Sequence, residues 1–120
     1  MTKLLVRYPF EIQKRKKGDV VILDILGDLT LGDPEQTFRE VVSELVERKQ
    51  TFVVVNLEGV EFVDSSGVGA LIKSHTTLAK RGGRLKLLKP GKHIRQTLKI
   101  TGLLGVLEVC DEESEALAAF

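Results

Sequence analysis

A chain of 120 residues with 42% hydrophobic and 29% charged residues has the size and composition of one globular domain, so we expect a single domain over residues 1–120. The single cysteine, Cys110, excludes an intrachain disulfide, and the near-neutral net charge of +1 gives no general preference for an acidic or basic partner. No apolar run is long enough for a membrane span and the first residues do not read as a signal peptide, which favours a cytoplasmic protein without membrane insertion.

The predicted elements begin with an N-terminal hairpin. Residues 1–9 are expected to form an arm or an edge strand, and residues 10–14 alternate as an exposed strand does. Gly18-Asp19 signals the turn, and the β-branched run Val20–Leu26 predicts a central strand. A loop over residues 27–32 then leads to a helix whose start, Asp33-Pro34-Glu35-Gln36, predicts Asp33 as the capping residue.

Strands and helices alternate from there to the end of the chain. The predicted order is a buried strand over 52–57, a helix from the loop at 64–69 to about residue 80, a strand over 84–88, a short helix ending at Gly102, a strand over 106–109 and a helix over 112–119. This order predicts an α/β fold in which a mixed sheet carries helices mainly on one face, because right-handed crossovers join its parallel strands.

Charge is distributed unevenly along the chain. No acidic residue occurs between Ala70 and Leu107, whereas nine basic residues do: Lys73, Lys80, Arg81, Arg84, Lys86, Lys89, Lys92, Arg95 and Lys99. The simplest interpretation is that they form solvated faces of helices and edge strands. We expect no direct nucleic-acid binding, because no aromatic residue is interleaved with them and no reader motif is present.

The segment Asp64-Ser65-Ser66-Gly67-Val68-Gly69 concentrates the residues capable of chemistry at a predicted strand-to-helix junction. One serine is expected near the N-cap of the helix, and the two glycines are expected to leave the first turn open to an approaching ligand or protein. The helix dipole would tolerate a phosphoryl group there. The purely structural interpretation is a serine cap preceded by a turn aspartate.

An enzymatic role is not expected. Neither serine has the Gly-x-Ser-x-Gly surroundings of a nucleophile elbow, and His75 lies ten residues beyond Ser65, about 15 Å along the same helix. Ile72 stands where a dinucleotide fingerprint needs its third glycine. Two histidines and one cysteine far apart in sequence predict no metal site, and no cofactor is implied.

A family resemblance is carried by residues 54–69, which read VVNLEGVEFVDSSGVG. This segment resembles the signature of the STAS domain family, and more narrowly that of the bacterial anti-sigma factor antagonists. The resemblance implies that Ser65 is phosphorylated by an anti-sigma factor serine kinase, that the unphosphorylated protein binds this kinase and releases a sigma factor, and that a serine phosphatase reverses the modification. The partner contacts implied are Asp64, Ser66, Gly67 and Val68, with Asp28 and Thr30 of the preceding loop.

The loop over residues 27–30 departs from the family pattern. It reads Gly-Asp-Leu-Thr where such antagonists often have Gly-Glu-Leu-Asp, so Thr30 replaces an acid expected near the kinase. Thr30 and the N-terminal extension over residues 1–9 keep open a non-switching STAS subunit of a signalling or lipid-transport complex. The family resemblance also keeps open a nucleotide or small-molecule binder. The sequence also leaves monomer and homodimer both open.

Overall fold

The computed structural model describes residues 10–118 and residue 120; the predicted arm over residues 1–9 lies outside them. Strands β1 (Glu11–Lys17) and β2 (Val20–Leu26) form the predicted hairpin, whose turn places Gly18 at a φ of 61°. The later elements are α1 (Asp33–Glu47), β3 (Phe52–Gly59), α2 (Ser65–Lys80), β4 (Arg84–Leu88), α3 (Lys92–Ile100), a 3₁₀ turn (Leu103–Gly105), β5 (Glu108–Cys110) and α4 (Glu113–Leu117).

The strands form one mixed sheet in the order β1-β2-β3-β4-β5 over the described residues. β1 is antiparallel to β2, and β2, β3, β4 and β5 are mutually parallel. Because successive parallel strands are neighbours and crossovers share one hand, α1, α2 and α3 must lie on the same face of the sheet. The fold predicted from the sequence is therefore confirmed, including the placement of the helices.

The two faces of the sheet separate the apolar side chains into a large and a small cluster. Alternate strand residues such as Val53 and Val55 pack with Phe38 of α1, Leu71 of α2 and other helix residues. The residues between them, such as Ile22 and Val54, pack with Ala116 of α4 on the opposite face. Cys110 is buried and acts as a small apolar residue, because its side chain belongs to this second cluster.

Lys86 contradicts the prediction that the basic block is solvated. Its position on β4 directs it to the α4 face, where only 1% of its surface is exposed. The ammonium Nζ donates to the carbonyl oxygens of Ala116 at 3.1 Å and Ala118 at 2.7 Å, and it lies 4.3 Å from the centre of the Phe120 ring. The charge is tolerated because backbone dipoles, an aromatic face and the carboxylate oxygen Oε2 of Glu108 at 3.5 Å replace its hydration.

Several predicted element ends were wrong. α1 has Gly32 as its N-cap at a φ of 101°, with no side-chain capping bond, so Asp33 is the first helical residue and not the cap. The last strand begins at Glu108 because the amides of Val106 and Leu107 donate to Leu103 O in the turn that follows the 3₁₀ segment. The helix α4 is shorter than predicted. These ends depend on backbone hydrogen bonds such as that from Gln36 N to Gly32 O, which residue type alone does not specify.

Candidate functional site

Two loops meet at the end of the sheet where the parallel strands finish. The loop after β2 and the segment after β3 run side by side, and Leu29 and Val63 form an isolated parallel bridge. Leu29 N donates to Phe62 O at 3.1 Å, and Asp64 N donates to Leu29 O at 3.3 Å. The loop after β2 is thus attached to the residues immediately before α2, as expected for loops at the carboxyl ends of neighbouring parallel strands.

Asp64 joins these loops to the helix. Its backbone is extended and it is the N-cap of α2, with Oδ1 accepting from Gly67 N at 2.8 Å. The other carboxylate oxygen, Oδ2, accepts from Leu31 N at 2.9 Å. The hydrogen bonds from the Leu31 and Gly67 amides lower the pKa of Asp64, because they stabilise the carboxylate form.

Ser65 is left free by this arrangement. A serine does lie next to the N-cap as expected, but the interpretation of a serine cap was wrong, because Asp64 occupies the N-cap position and its carboxylate accepts from the first-turn amide of Gly67. Ser65 is the first residue of α2, its side chain is exposed, and its hydroxyl has no hydrogen-bond partner among the described residues. Ser66, by contrast, is half-buried. The structure therefore presents a hydroxyl at a helix N-terminus, where the dipole favours negative charge by roughly 0.3–1 kcal/mol at an exposed site.

Gly67 supports the loop and does not open it. A Cβ at this position would lie 2.2 Å from Leu29 O and 2.6 Å from Val63 Cγ1. The expectation that both glycines leave the first turn open is correct only for Gly69, which has open space where its Cβ would lie. Gly67 and Val68 are both buried, so the first turn of α2 is packed directly onto the loop after β2.

The loop after β2 contributes two further predicted site residues. Asp28 is exposed, and its Oδ1 accepts from Phe62 N at 3.2 Å. Thr30 is half-buried, and its carbonyl oxygen accepts from Glu35 N at 3.1 Å in the first turn of α1. The six residues predicted as partner contacts therefore lie in the two joined segments, the loop after β2 and the start of α2, with Asp28 the most accessible. Their contact with a partner stays a prediction.

The sequence analysis did not predict the exposed apolar side chains at this end of the sheet. Leu31 is 71% exposed and Phe62 is 52% exposed, and both lie in the segments that Asp64 and Asp28 hold together. Leu26, at the end of β2, is also largely exposed. The sequence signal for this exposure was an apolar residue inside each polar loop, Leu31 and Phe62. An apolar residue in a loop can equally be buried, so this signal alone did not indicate an exposed surface. Exposed apolar residues beside a polar group mark a surface suited to another protein.

The two histidines are not hydrogen-bonded to Ser65. His75 lies ten residues further along α2 and His93 lies in the first turn of α3, and neither is a hydrogen-bond partner of the Ser65 hydroxyl. Within the described part of the chain, no group of His, Cys, Asp and Glu could hold a metal ion. None of the helices built from the described residues is long and apolar enough to cross a lipid bilayer. Ser65 is therefore an exposed hydroxyl at the first residue of α2 without a hydrogen-bonded base among the described residues.

Comparison with known proteins identifies a matching protein family. A family model described as the STAS domain matches residues 11–116. An anti-sigma F factor antagonist of Lysinibacillus sphaericus is 31% identical over 85 residues, which cover 71% of this chain and 73% of that protein.

Solved structures share the fold. The crystal structure of the Thermotoga maritima protein TM1081 superimposes with a TM-score of 0.83 at 24% identity, covering 88% of this chain and 91% of that one. The Bacillus cell fate determinant SpoIIAA in its phosphorylated form superimposes with a TM-score of 0.69 at 25% identity, covering 89% of this chain and 96% of that one.

Proposed function

Because this chain belongs to the STAS domain family, we propose that it is an anti-sigma factor antagonist whose binding to an anti-sigma factor serine kinase is switched by phosphorylation of Ser65. The observation that carries the proposal is the exposed, unpartnered Ser65 hydroxyl at the N-terminus of α2, with Asp64 performing the structural task that a serine could have had. In this proposal the chain acts in the cytoplasm with its partners, the kinase and a serine phosphatase.

The fold would tolerate the modification. A phosphoryl group on Ser65 would project from the first residue of α2 toward solvent, where the helix dipole favours an anion. Asp64 and Gly67 would keep their hydrogen bond, because that bond does not involve the serine hydroxyl. Phosphorylation is therefore expected to alter the binding surface while the fold stays intact.

Phosphorylation of Ser65 would disturb the binding surface more than it disturbs the fold. A phosphoryl group adds about 1.5 to 2 negative charges beside the Asp64 carboxylate and the exposed side chains of Leu31 and Phe62. A partner that covers these apolar groups would have to desolvate the new charge, which is costly without a compensating cation. Loss of kinase binding after phosphorylation follows from this desolvation and from repulsion by any acidic group of the partner.

The test uses the purified chain, an anti-sigma factor serine kinase encoded beside it and ATP, followed by mass spectrometry. We expect one phosphate on Ser65, none on the Ser65→Ala variant and an unchanged yield on the Ser114→Ala variant, whose exposed serine lies on α4 away from these loops. In a binding assay with the kinase, Ser65→Ala should keep the affinity of the unmodified chain, whereas Ser65→Asp should bind at least about tenfold more weakly.

Two outcomes would contradict the switch. Modification at a serine other than Ser65 would remove the proposed phosphoacceptor. Equal affinities of Ser65→Asp and Ser65→Ala for the kinase would show that charge at this position does not control binding, and would favour the non-switching subunit of a larger complex that the altered loop at Thr30 leaves open.

A further inference from the structure

The end of the molecule opposite Ser65 carries a second exposed apolar patch. Since α2 and α3 run antiparallel to the parallel strands, both helices end at the edge where those strands begin. Ile100, the last residue of α3, is 76% exposed, and Leu104 and Val106 in and beside the 3₁₀ turn are 38% and 50% exposed. We call this patch, together with Lys80, Arg81 and Lys99 at the same helix ends, the basic tip.

The segment that forms the basic tip, from Ala70 to Leu107, contains no acidic residue, and the acids at the same edge of the sheet belong to other elements: Asp19 in the hairpin turn, Glu47 at the end of α1 and Glu108 at the start of β5. Lys80, Arg81 and Lys99 make no ion pair with any described residue. The first acid after them, Glu108, already accepts from Arg84 at 2.6 Å. Three exposed cations and three exposed aliphatic side chains therefore lie at the edge of the sheet where the parallel strands begin.

Helix dipoles explain only part of this arrangement. Cations near the C-termini of α2 and α3 stabilise the helices, so Lys80 and Lys99 alone would need no further account. The dipole gives no reason for exposing Ile100, Leu104 and Val106 beside them. Burying these aliphatic side chains against a partner would be favourable, and the cations limit that partner to a negatively charged one.

We propose that the basic tip binds peripherally to an anionic lipid surface, with Ile100, Leu104 and Val106 entering the headgroup region and the cations contacting phosphates. Protein interfaces are enriched in aromatic residues and depleted in lysine, whereas the tip has two lysines and no aromatic side chain among its described members. Lysine or arginine around exposed aliphatic groups is the composition of membrane-surface contacts. In this orientation Ser65 and its loops face away from the membrane and stay accessible to a partner protein.

Vesicle sedimentation tests the proposal with the full chain. We expect the chain to sediment with vesicles of phosphatidylcholine mixed with phosphatidylglycerol, to stay in solution with phosphatidylcholine alone, and to be released as the salt concentration rises. Sedimentation with neither vesicle would overturn the proposal in favour of an acidic protein surface as the occupant. Equal sedimentation with both vesicles would also overturn it, since the cations would then have no role.

Matched variants locate the contact. Lys99→Gln should weaken binding to the anionic vesicles about fivefold, because a basic residue near such a surface contributes about 1 kcal/mol. Lys92→Gln removes the same charge from the other end of α3 and should leave binding unchanged. Ile100→Ser, which removes an exposed side chain, should weaken binding about tenfold without loss of the circular dichroism of the folded chain. Equal effects of Lys92→Gln and Lys99→Gln, or no effect of Ile100→Ser, would contradict binding through the tip.

Discussion

At the scale of single residues, the site is organised by close approach of backbones. Gly67 and Gly69 stand in the same turn of α2, but a Cβ at Gly67 would collide with Leu29 O and one at Gly69 would meet open space. Asp64 reaches both sides of this contact, accepting from Gly67 N and from Leu31 N. The position of Ser65 therefore depends on its neighbours, and its own side chain takes no part in holding the loop.

Alanine substitutions at the two glycines should have opposite effects on stability. Gly67→Ala is expected to lower the free energy of unfolding by roughly 1–3 kcal/mol, because the loop after β2 or the start of α2 must shift to admit the methyl group. Gly69→Ala, the matched control, is expected to raise it by roughly 0.5–1 kcal/mol, since alanine loses less backbone entropy in a helix. Urea denaturation of both variants measures the difference, and equal stabilities would contradict the close contact.

At the scale of elements, α4 differs from the other helices in how it is held. It is short, it lies alone on its face of the sheet among the described elements, and it contributes Ala116 to the smaller apolar cluster. Polar contacts supplement this limited apolar burial. Lys86 donates to the Ala116 and Ala118 carbonyl oxygens, and Arg15 of β1 donates to both carboxylate oxygens of Glu113.

Replacing Lys86 with methionine should loosen α4 specifically. The variant keeps an unbranched apolar side chain but removes the ammonium, so the Ala116 and Ala118 carbonyl oxygens lose their donor. We expect the free energy of unfolding to fall by roughly 1–3 kcal/mol and amide exchange to accelerate first in α4.

Lys92→Met, at an exposed position, is the matched control and should change neither quantity measurably. Unchanged exchange in α4 of Lys86→Met would show that apolar packing alone holds this helix.

At the scale of the whole molecule, an ionic network connects distant parts of the chain. Arg15 donates to both carboxylate oxygens of Asp24 on β2, at 2.6 Å and 3.1 Å, and also to Glu113 on α4. Asn56 of β3 donates to Asp24 Oδ1 at 2.8 Å. The hydrogen bonds that Arg15 donates lower the pKa of Asp24 and of Glu113. Outside this network, the hydrogen bonds that backbone amides donate to Asp64 lower its pKa as well.

This network predicts loss of stability in acid. Because these carboxyl pKa values are lower in the folded chain than the usual value of about 4, the unfolded chain binds more protons as the pH falls. Their contribution is present above about pH 4 and is lost as the pH falls through the folded pKa values.

Arg15→Gln should reduce this dependence, since it removes the main cause of two of the shifts. Arg81→Gln, which removes an exposed guanidinium outside the network, is the control and should keep the original dependence. Urea denaturation between about pH 3 and pH 7 measures the pH dependence of the free energy of unfolding for each variant. Parallel profiles for Arg15→Gln and the unaltered chain would contradict the role of the network.

The sequence by itself determined the order of the elements, the hairpin, the helices mainly on one face and the family. These features follow from periodicities, turn residues and a motif that are each contained in a few consecutive residues. The motif also indicated Ser65 as the residue of interest, through the family resemblance and not through its local physics.

Only the tertiary structure decided which residues support this site and which are displayed. The second hydrogen bond of Asp64, which it accepts from Leu31 N, and the burial of Gly67 against Leu29 depend on contacts between segments more than thirty residues apart. The exposure of Leu31 and Phe62 is likewise seen only in the folded loops that Asp64 and Asp28 hold together. Burial of Lys86 likewise depends on carbonyl oxygens thirty residues away. A local pattern fixes which face a side chain takes, but the partner that meets it there is known only once the chain has folded.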